Sequence, residues 1–363
     1  LAVSLLTLSL LTRKVIEKQT HYFFFMSIRI AINGFGRIGR MIVRALMERK
    51  EKDIHLVAIN DLAPFDMNTY LLSYDSVHGR LKDTIRLTDN ALSIQSLQAE
   101  PIQMLQCSNP KDLPWADLGV DVVLECTGRF QDKDAASSHL AAGAKRVIVS
   151  APCKGADKTI IYGLNHDTIT KDDVILSNGS CTTNCFAPLV SVLHESFGLE
   201  QGYMTTIHAY TGDQRLLDTC HSDPRRARAA TLSMIPTSTG AARAVFEIFP
   251  ELKGKIDGTA IRVPTPNVSV VDFTFQTQKI MSVDGIHHAM QEASLGRLKN
   301  ILAYNTDPLV SVDFNQRSES SIFDATQTAV LGNAHMGRVV SWYDNEWGFS
   351  HRMIDVAQCL KNN

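Results

Sequence analysis

The sequence predicts an α/β chain of two units. Residues 26–180 form a doubly wound, mostly parallel sheet, and residues 181–346 form an α+β unit with a mostly antiparallel sheet. Three observations predict it. From Met26 the pattern reads strand, glycine turn, helix, strand; short β-branched runs then alternate with helical stretches up to residue 152; after residue 180 the runs lengthen and alternate in polarity. At 363 residues the chain is long enough for two cores.

Residues 1–25 are read as an extension outside the fold. LAVSLLTLSLLT is apolar but shorter than the roughly 20 residues a membrane-spanning helix needs. Arg13, Lys14 and Lys18 follow the apolar run, whereas a signal peptide places its basic residues in front. SIRIAIN (27–33) is then the first strand, RMIVRALMERK a helix with apolar residues at helical spacing, and HLVAIND (55–61) the second strand. VDVVLECTG (120–128) and RVIVSAP (146–152) read as further buried strands, with QDKDAASSHLAAGA as the crossover helix between them. From Cys181 to Phe197 the pattern is helical. GYMTTIHAYT, GTAIRVP, NVSVVDFTFQTQK and GRVVSWYD read as strands of the second sheet, with SVDGIHHAMQEAS as a helix on one face. The polar stretch 211–230 reads as a long loop, and loops of that length are usually functional. The last stretch, 347–363, reads as a helix that completes the first domain.

Composition narrows the function classes. Hydrophobic residues are 44%, charged residues 20% and the formal net charge is -2, so no whole-surface attraction to nucleic acid or anionic membrane is expected. Anion sites must be local. Seven cysteines, odd in number and without paired CxxC spacing, suit neither a disulfide scaffold nor a zinc site. No metal is expected, and free thiols point to a reducing, cytoplasmic compartment.

Gly34, Gly36 and Gly39 form GxGxxG between a strand and a helix, the pattern of a Rossmann-type dinucleotide site. The first glycine makes the turn, the second lets a pyrophosphate approach the backbone, and the third packs helix on strand. Arg37 and Ile38, inside the motif, belong to the same candidate site. Asp61 ends the next strand at the fingerprint's spacing; a carboxylate there accepts from both ribose hydroxyls and repels a 2′-phosphate, which favours NAD over NADP.

SNGSCTTNC (177–185) places Cys181 at the start of a helix, where unpaired amides are expected to lower a thiol pKa. Ser180, Thr182 and Thr183 around it are small and polar. Cys185, one turn on, is assigned to packing beneath the site, and Cys107, Cys126 and Cys359 to inert core positions. A thiol nucleophile needs a base, and His208, at the end of MTTIHAYT, is the best candidate.

NGFGRIG, SCTTNC, TTIHAYT, RRARAA, IPTSTGAAR, RVPTPNVSVVD and WYDNEWG occur in an order and at spacings that resemble the phosphorylating glyceraldehyde-3-phosphate dehydrogenase family, from about Met26 to the C-terminus. The resemblance implies oxidation of glyceraldehyde 3-phosphate with NAD and inorganic phosphate, through a hemithioacetal and a thioester on Cys181 with His208 as base. It implies a substrate-phosphate site at Thr211 and Arg262, and an inorganic-phosphate site at Ser180, Thr182, Thr239, Gly240 and Arg226. By the same resemblance Asn345 fixes the nicotinamide carboxamide, and Thr127, Gly128 and Ser150 border the cofactor. Arg225 and Arg228 are left as a solvated patch or as subunit salt bridges. The family also implies a homotetramer in which the loop 209–232 helps line a neighbour's cofactor site. Thr219 and Cys220 depart from the Leu-Pro pair common in NAD-specific members and leave room for some NADP use; Phe349 and Gly179 replace a common tyrosine and alanine. The alternative, erythrose-4-phosphate dehydrogenase, typically lacks the STGAA loop present at 237–242, and semialdehyde dehydrogenases lack TTIHAYT.

Overall fold

The computed structural model describes residues 27–361, so the stretch 1–25 lies outside the described residues. Nine strands form the first sheet: β1 (Ile28–Asn33), β2 (Ile54–Asn60), β3 (Ile85–Thr88), β4 (Ala91–Ile94), β5 (Ile102–Leu105), β6 (Val122–Glu125), β7 (Arg146–Val149), β8 (Lys158–Thr159) and β9 (Ile175–Ser177). Their order is β8-β9-β7-β6-β1-β2-β5-β4-β3. β1 is central because its side chains are buried on both faces, and it pairs in parallel with β2 on one side and β6 on the other. The chain leaves β1 toward opposite edges of the sheet, so the crevice at its carboxyl end is the switch point where such folds bind ligands. The edge formed by β3 and β4 is antiparallel, a hairpin extension that the sequence reading did not resolve.

Three helices cover this sheet: α1 (Arg37–Arg49), α2 (Phe65–Ser73) and α3 (Lys133–Ala141). Asp132 starts α3, its carboxylate accepting from the Ala135 amide at 2.9 Å.

The second sheet contains β10 (Leu199–Ala209), β11 (Ile235–Ser238), β12 (Ile256–Val263), β13 (Ser269–Thr277), β14 (Leu302–Asn305), β15 (Ser321–Asp324), β16 (Ala329–Leu331) and β17 (Met336–Tyr343). Its order is β11-β12-β10-β13-β17-β15-β14, with β16 beside β17. Antiparallel pairs dominate; only β10–β12 and β14–β15 are parallel. The helix α4 (Cys181–Phe197) lies on this sheet with α5 (Ala241–Val245) and α6 (Val283–Leu295). Phe186 of α4 meets Phe273 of β13 edge-on at 4.8 Å between ring centres, inside a core that also holds Leu189, Leu193, Ile286 and Met290.

The last helix, α7 (Trp347–Cys359), returns to the first unit. Its Met353, Ile354, Val356 and Ala357 share one core with Ile30, Met41 and Leu46. Arg49 Nη1 also donates to Asp355 Oδ1 at 2.7 Å. Among the described residues no helix is long and apolar enough to cross a membrane, and no group of three His, Cys, Asp or Glu is placed to hold a metal ion.

Candidate active site

Cys181 is the first residue of α4 and His208 the penultimate residue of β10, two elements that converge at the carboxyl edge of the second sheet. Sγ of Cys181 lies 3.4 Å from Nε2 of His208. Ser180 caps α4: its Oγ accepts from the Thr183 amide at 3.0 Å. Thr182 Oγ1 and Thr206 Oγ1 each lie 2.8 Å from the buried Tyr343 hydroxyl, which ties the start of α4 to β10 and β17. The Tyr343 ring meets the His208 imidazole edge-on at 5.9 Å.

The electrostatics differ from the sequence expectation. Burial pushes the Cys181 thiol up, and the Arg262 charge, the Thr182 hydroxyl and nearby amides pull it back only in part. Burial, with the Arg262 charge second, brings the His208 imidazole down to about 3. Both shifts favour the uncharged forms of the pair. Cys185 is buried, with Sγ 3.7 Å from Ser321 Oγ, and its thiol is pushed up to about 12 by desolvation.

A cleft of about 570 Å³ opens over this pair. Ser180, Thr182, Thr211, Arg226, Thr239, Gly240 and Arg262 line it, as do Arg37, Ile38, Ser150 and Asn345. Arg226 and Arg262 thus line the same cleft as the thiol. Arg262 is opposite His208 in the strand register; its Nη1 lies 2.7 Å from His208 Nδ1 and 2.9 Å from the Ala209 carbonyl. Its buried Nε has no partner, a donor suited to an anion. Arg226 donates through Nε to Thr237 Oγ1 at 3.0 Å and through Nη1 to Asp213 Oδ2 at 2.7 Å. Asn345 Oδ1 accepts from Ser269 Oγ at 2.9 Å, which fixes the amide at the cleft wall. The Arg37 guanidinium is bound by Asp75 and Glu346, so what it offers a ligand is its backbone amide.

A second cleft, of about 270 Å³, lies at the ends of β1, β2 and β6 and is lined by Gly34, Gly36, Asp61 and Thr127. Gly34 has φ +95°, and a Cβ there would stand 2.6 Å from the Thr127 amide nitrogen. Around Gly36 the space is open to 4 Å, and this residue caps α1 without any side-chain hydrogen bond. The first-turn amides of α1 are therefore available to a pyrophosphate. Asp61 Oδ2 accepts from the Phe35 amide at 2.7 Å and Oδ1 from the Ala63 amide at 2.9 Å, so the carboxylate is held at the rim. This cradle fits NAD. Gly39 and Gly128 are absent from both linings. Gly39 acts in packing, since a Cβ there would lie 2.3 Å from Gly34 O.

Residues 28–133 match the family profile "Glyceraldehyde 3-phosphate dehydrogenase, NAD binding domain", and residues 180–345 match "Glyceraldehyde 3-phosphate dehydrogenase, C-terminal domain". The chain is 54% identical over 335 residues to the glyceraldehyde-3-phosphate dehydrogenase of Cereibacter sphaeroides, covering 92% of this chain and 99% of that protein. It is 53% identical to that of Xanthobacter flavus over 92% and 99% of the two chains, and 50% identical to that of Geobacillus stearothermophilus over 92% and 98%. The chain belongs to the glyceraldehyde-3-phosphate dehydrogenase family. It is an enzyme, and its cofactor is NAD.

Within this member of the glyceraldehyde-3-phosphate dehydrogenase family, two core cysteines also reach the cofactor cleft. Cys107 and Cys126 pack against the cores as expected, and both also line the cofactor cleft because each follows the carboxyl end of a sheet strand. Cys126 is inert all the same, its thiol pushed far up by burial and by Glu125. Thr219 and Cys220 are exposed and line neither cleft. The sequence reading also missed the floor of the cofactor cleft. Asn33 Nδ2 donates to the buried Glu125 Oε2 at 2.6 Å, Asn60 Nδ2 to Asn33 Oδ1 at 2.7 Å, and the Thr127 amide to Glu125 Oε1 at 2.7 Å. The signal was present: IAIN and VAIN are apolar strands that both end on asparagine, and VVLE ends on glutamate. Tyr343 and Asp213 were missed as well.

Proposed function

We propose that this chain oxidises D-glyceraldehyde 3-phosphate to 1,3-bisphosphoglycerate, with NAD as hydride acceptor and inorganic phosphate as acyl acceptor, as a step of glycolysis or gluconeogenesis. The observation that carries the reading is the 3.4 Å Cys181–His208 contact in a cleft that also holds Arg226 and Arg262. Two anion sites beside one thiol suit a reaction in which one phosphate is carried by the substrate and a second attacks.

Cys181 Sγ adds to the aldehyde carbon, and His208 Nε2 takes the thiol proton as the carbon–sulfur bond forms. His208 returns that proton to the carbonyl oxygen, which gives a hemithioacetal on Cys181, and takes it back when this carbon is oxidised. When bound, NAD supplies the acceptor for the hydride that leaves this carbon, and a thioester remains on the sulfur. Asn345, Asp61, Thr127 and the α1 amides hold the cofactor. Arg262 and Thr211 hold the substrate's phosphate. Arg226, Thr239 and Gly240 hold inorganic phosphate, whose oxygen attacks the thioester carbonyl. The carbon–sulfur bond then breaks, the thiolate leaves, and the acyl phosphate is released. Ser180 and Thr182 serve this site mainly by shaping it, since one hydroxyl caps α4 and the other is bonded to Tyr343.

We take residues 26–180 with 347–363 as the cofactor domain and 181–346 as the catalytic domain. We further read the protein as a cytoplasmic homotetramer. Leu216, Leu217 and Leu232, each at least 69% exposed on the long loop, support the assembly as apolar surface awaiting a partner copy. The Thr237–Ala242 loop speaks against erythrose 4-phosphate as substrate, because phosphate is the acyl acceptor it serves.

The test is NADH formation from glyceraldehyde 3-phosphate with and without inorganic phosphate, beside erythrose 4-phosphate and NADP controls. Phosphate-dependent turnover with NAD is expected. Faster oxidation of erythrose 4-phosphate, or turnover indifferent to phosphate, would overturn the reading.

A further inference from the structure

We propose that Asp213 is a displaceable counter-ion of Arg226, which keeps the inorganic-phosphate site weak and exchangeable; this rests on the function proposed above. Arg226 and Arg262 are not equivalent. Arg262 makes no ion pair among the described residues: its Nη1 faces only the His208 ring and the Ala209 carbonyl, and its Nε is unpartnered. Its charge has no carboxylate partner and is only partly exposed, which suits a strong hold on the phosphate that the substrate carries. Arg226 is already compensated. Its Nη1 lies 2.7 Å from Asp213 Oδ2, and its Nε stands 3.7 Å from Asp223 Oδ2.

The two carboxylates on Arg226 differ in mobility. Asp223 is tied down, accepting from the Arg225 amide at 2.8 Å and from Thr237 Oγ1 at 3.1 Å. Asp213 is half exposed on the loop that follows β10, and apart from Arg226 it touches only the His221 ring, at 3.4 Å. It also lines the same cleft as Thr239 and Gly240. The Nη edge of Arg226 is therefore the exchangeable one. Ion pairs this exposed are weak, so a phosphate dianion making charge-assisted bonds can replace the carboxylate. When the acyl phosphate forms, Asp213 is positioned to take the guanidinium back and favour release. The substrate's own phosphate meets no such competitor at Arg262, which directs it there and leaves the Arg226 site for the attacking anion.

The experiment compares wild type, Asp213→Asn and Asp213→Glu in the whole enzyme, with inorganic phosphate as the probe and KM determined separately for phosphate, glyceraldehyde 3-phosphate and NAD. Asp213→Asn should lower the KM for phosphate by about two- to fivefold, the worth of an exposed ion pair. It should also lower the KM for the acyl phosphate in the reverse direction and leave the other two constants near wild type. Asp213→Glu, which keeps the charge, should return the phosphate KM toward wild type. An unchanged phosphate KM in Asp213→Asn would overturn the inference alone. So would a rise in it, with or without a rise for NAD, since that would make Asp213 a support of the loop. Wild-type turnover indifferent to phosphate would instead overturn the functional reading, and this inference with it.

Discussion

Sγ of Cys181 and Nε2 of His208 stand 3.4 Å apart, brought together by a helix start and a strand end that lie 27 residues apart in the chain. Burial raises the thiol and lowers the imidazole, so both shifts favour the uncharged forms of the pair. With Nε2 facing the sulfur, His208 is placed to take the thiol proton as the carbon–sulfur bond forms.

Replacing Cys181 with serine is expected to abolish turnover while leaving NAD affinity near wild type, because an alcohol is a poorer nucleophile at neutral pH and the cofactor cleft is untouched. His208→Asn should lower kcat by about 10²–10⁴-fold, the usual worth of a positioned base. Fluorescence titration of NAD beside steady-state rates checks both. A serine variant that kept most of its turnover would rule out the thioester route.

Arg262 is the uncompensated cation of the cleft. Arg262→Ala should raise the KM for glyceraldehyde 3-phosphate by roughly 10- to 100-fold, as expected for loss of charge-assisted hydrogen bonds worth about 1.5–3 kcal/mol. The variant should discriminate poorly between the phosphorylated aldehyde and glyceraldehyde itself. Unchanged discrimination would place the substrate phosphate elsewhere.

Two buried histidines set an acid limit on stability. His208 is lowered to about 3, and His351, desolvated between Arg352 and Arg49, to about 4. Both pKa values lie below the ordinary value near 6.5, so the unfolded chain binds more protons between those limits and stability rises with pH there. Below about pH 6.5 each should cost about 1.4 kcal/mol per pH unit until its folded pKa is reached. Urea midpoints from pH 4.5 to 7.5 should climb and then level. His351→Gln should flatten part of that slope; an unchanged slope would assign the acid sensitivity to other groups.

Much of the fold was legible because its signals are local. GxGxxG and the helical patterns of 131–144 and 282–294 act within a turn or two of themselves, and the structure has a helix at each. The β3–β4 hairpin was not legible, since its short half-exposed strands resemble loop. The candidate site was readable residue by residue, but not its pairings. That Ser180 Oγ caps α4, Thr182 Oγ1 bonds to Tyr343 and Arg226 Nη1 donates to Asp213 depends on packing that periodicity does not encode.

Asp61 has two tasks that one substitution exposes. Its oxygens hold the Phe35 and Ala63 amides, and it supplies the negative charge facing an adenosine ribose. Asp61→Ala should therefore raise the KM for NAD and admit NADP only weakly, because the turn loosens as the repulsion disappears. Efficient NADP use by this variant would mean that the turn does not need the carboxylate.

The glycine motif gives the sharpest separation between folding and binding. At Gly39 an added Cβ meets the Gly34 carbonyl at 2.3 Å, a backbone atom in a turn fixed by the Gly34 amide donating to the Asn60 carbonyl at 2.8 Å. Helix and turn cannot both stay, so Gly39→Ala should cost about 1–3 kcal/mol, the usual range for overpacking, and lower the melting temperature. At Gly36 the same methyl meets nothing within 4 Å. Gly36→Ala should therefore keep the melting temperature of the free chain while weakening NAD binding, since the methyl enters the cleft beside the α1 amides. Melting curves and NAD titrations on the two variants decide it. If Gly36→Ala bound NAD like wild type, the pyrophosphate would not approach the backbone at this turn; if Gly39→Ala melted like wild type, the third glycine would not be needed for packing.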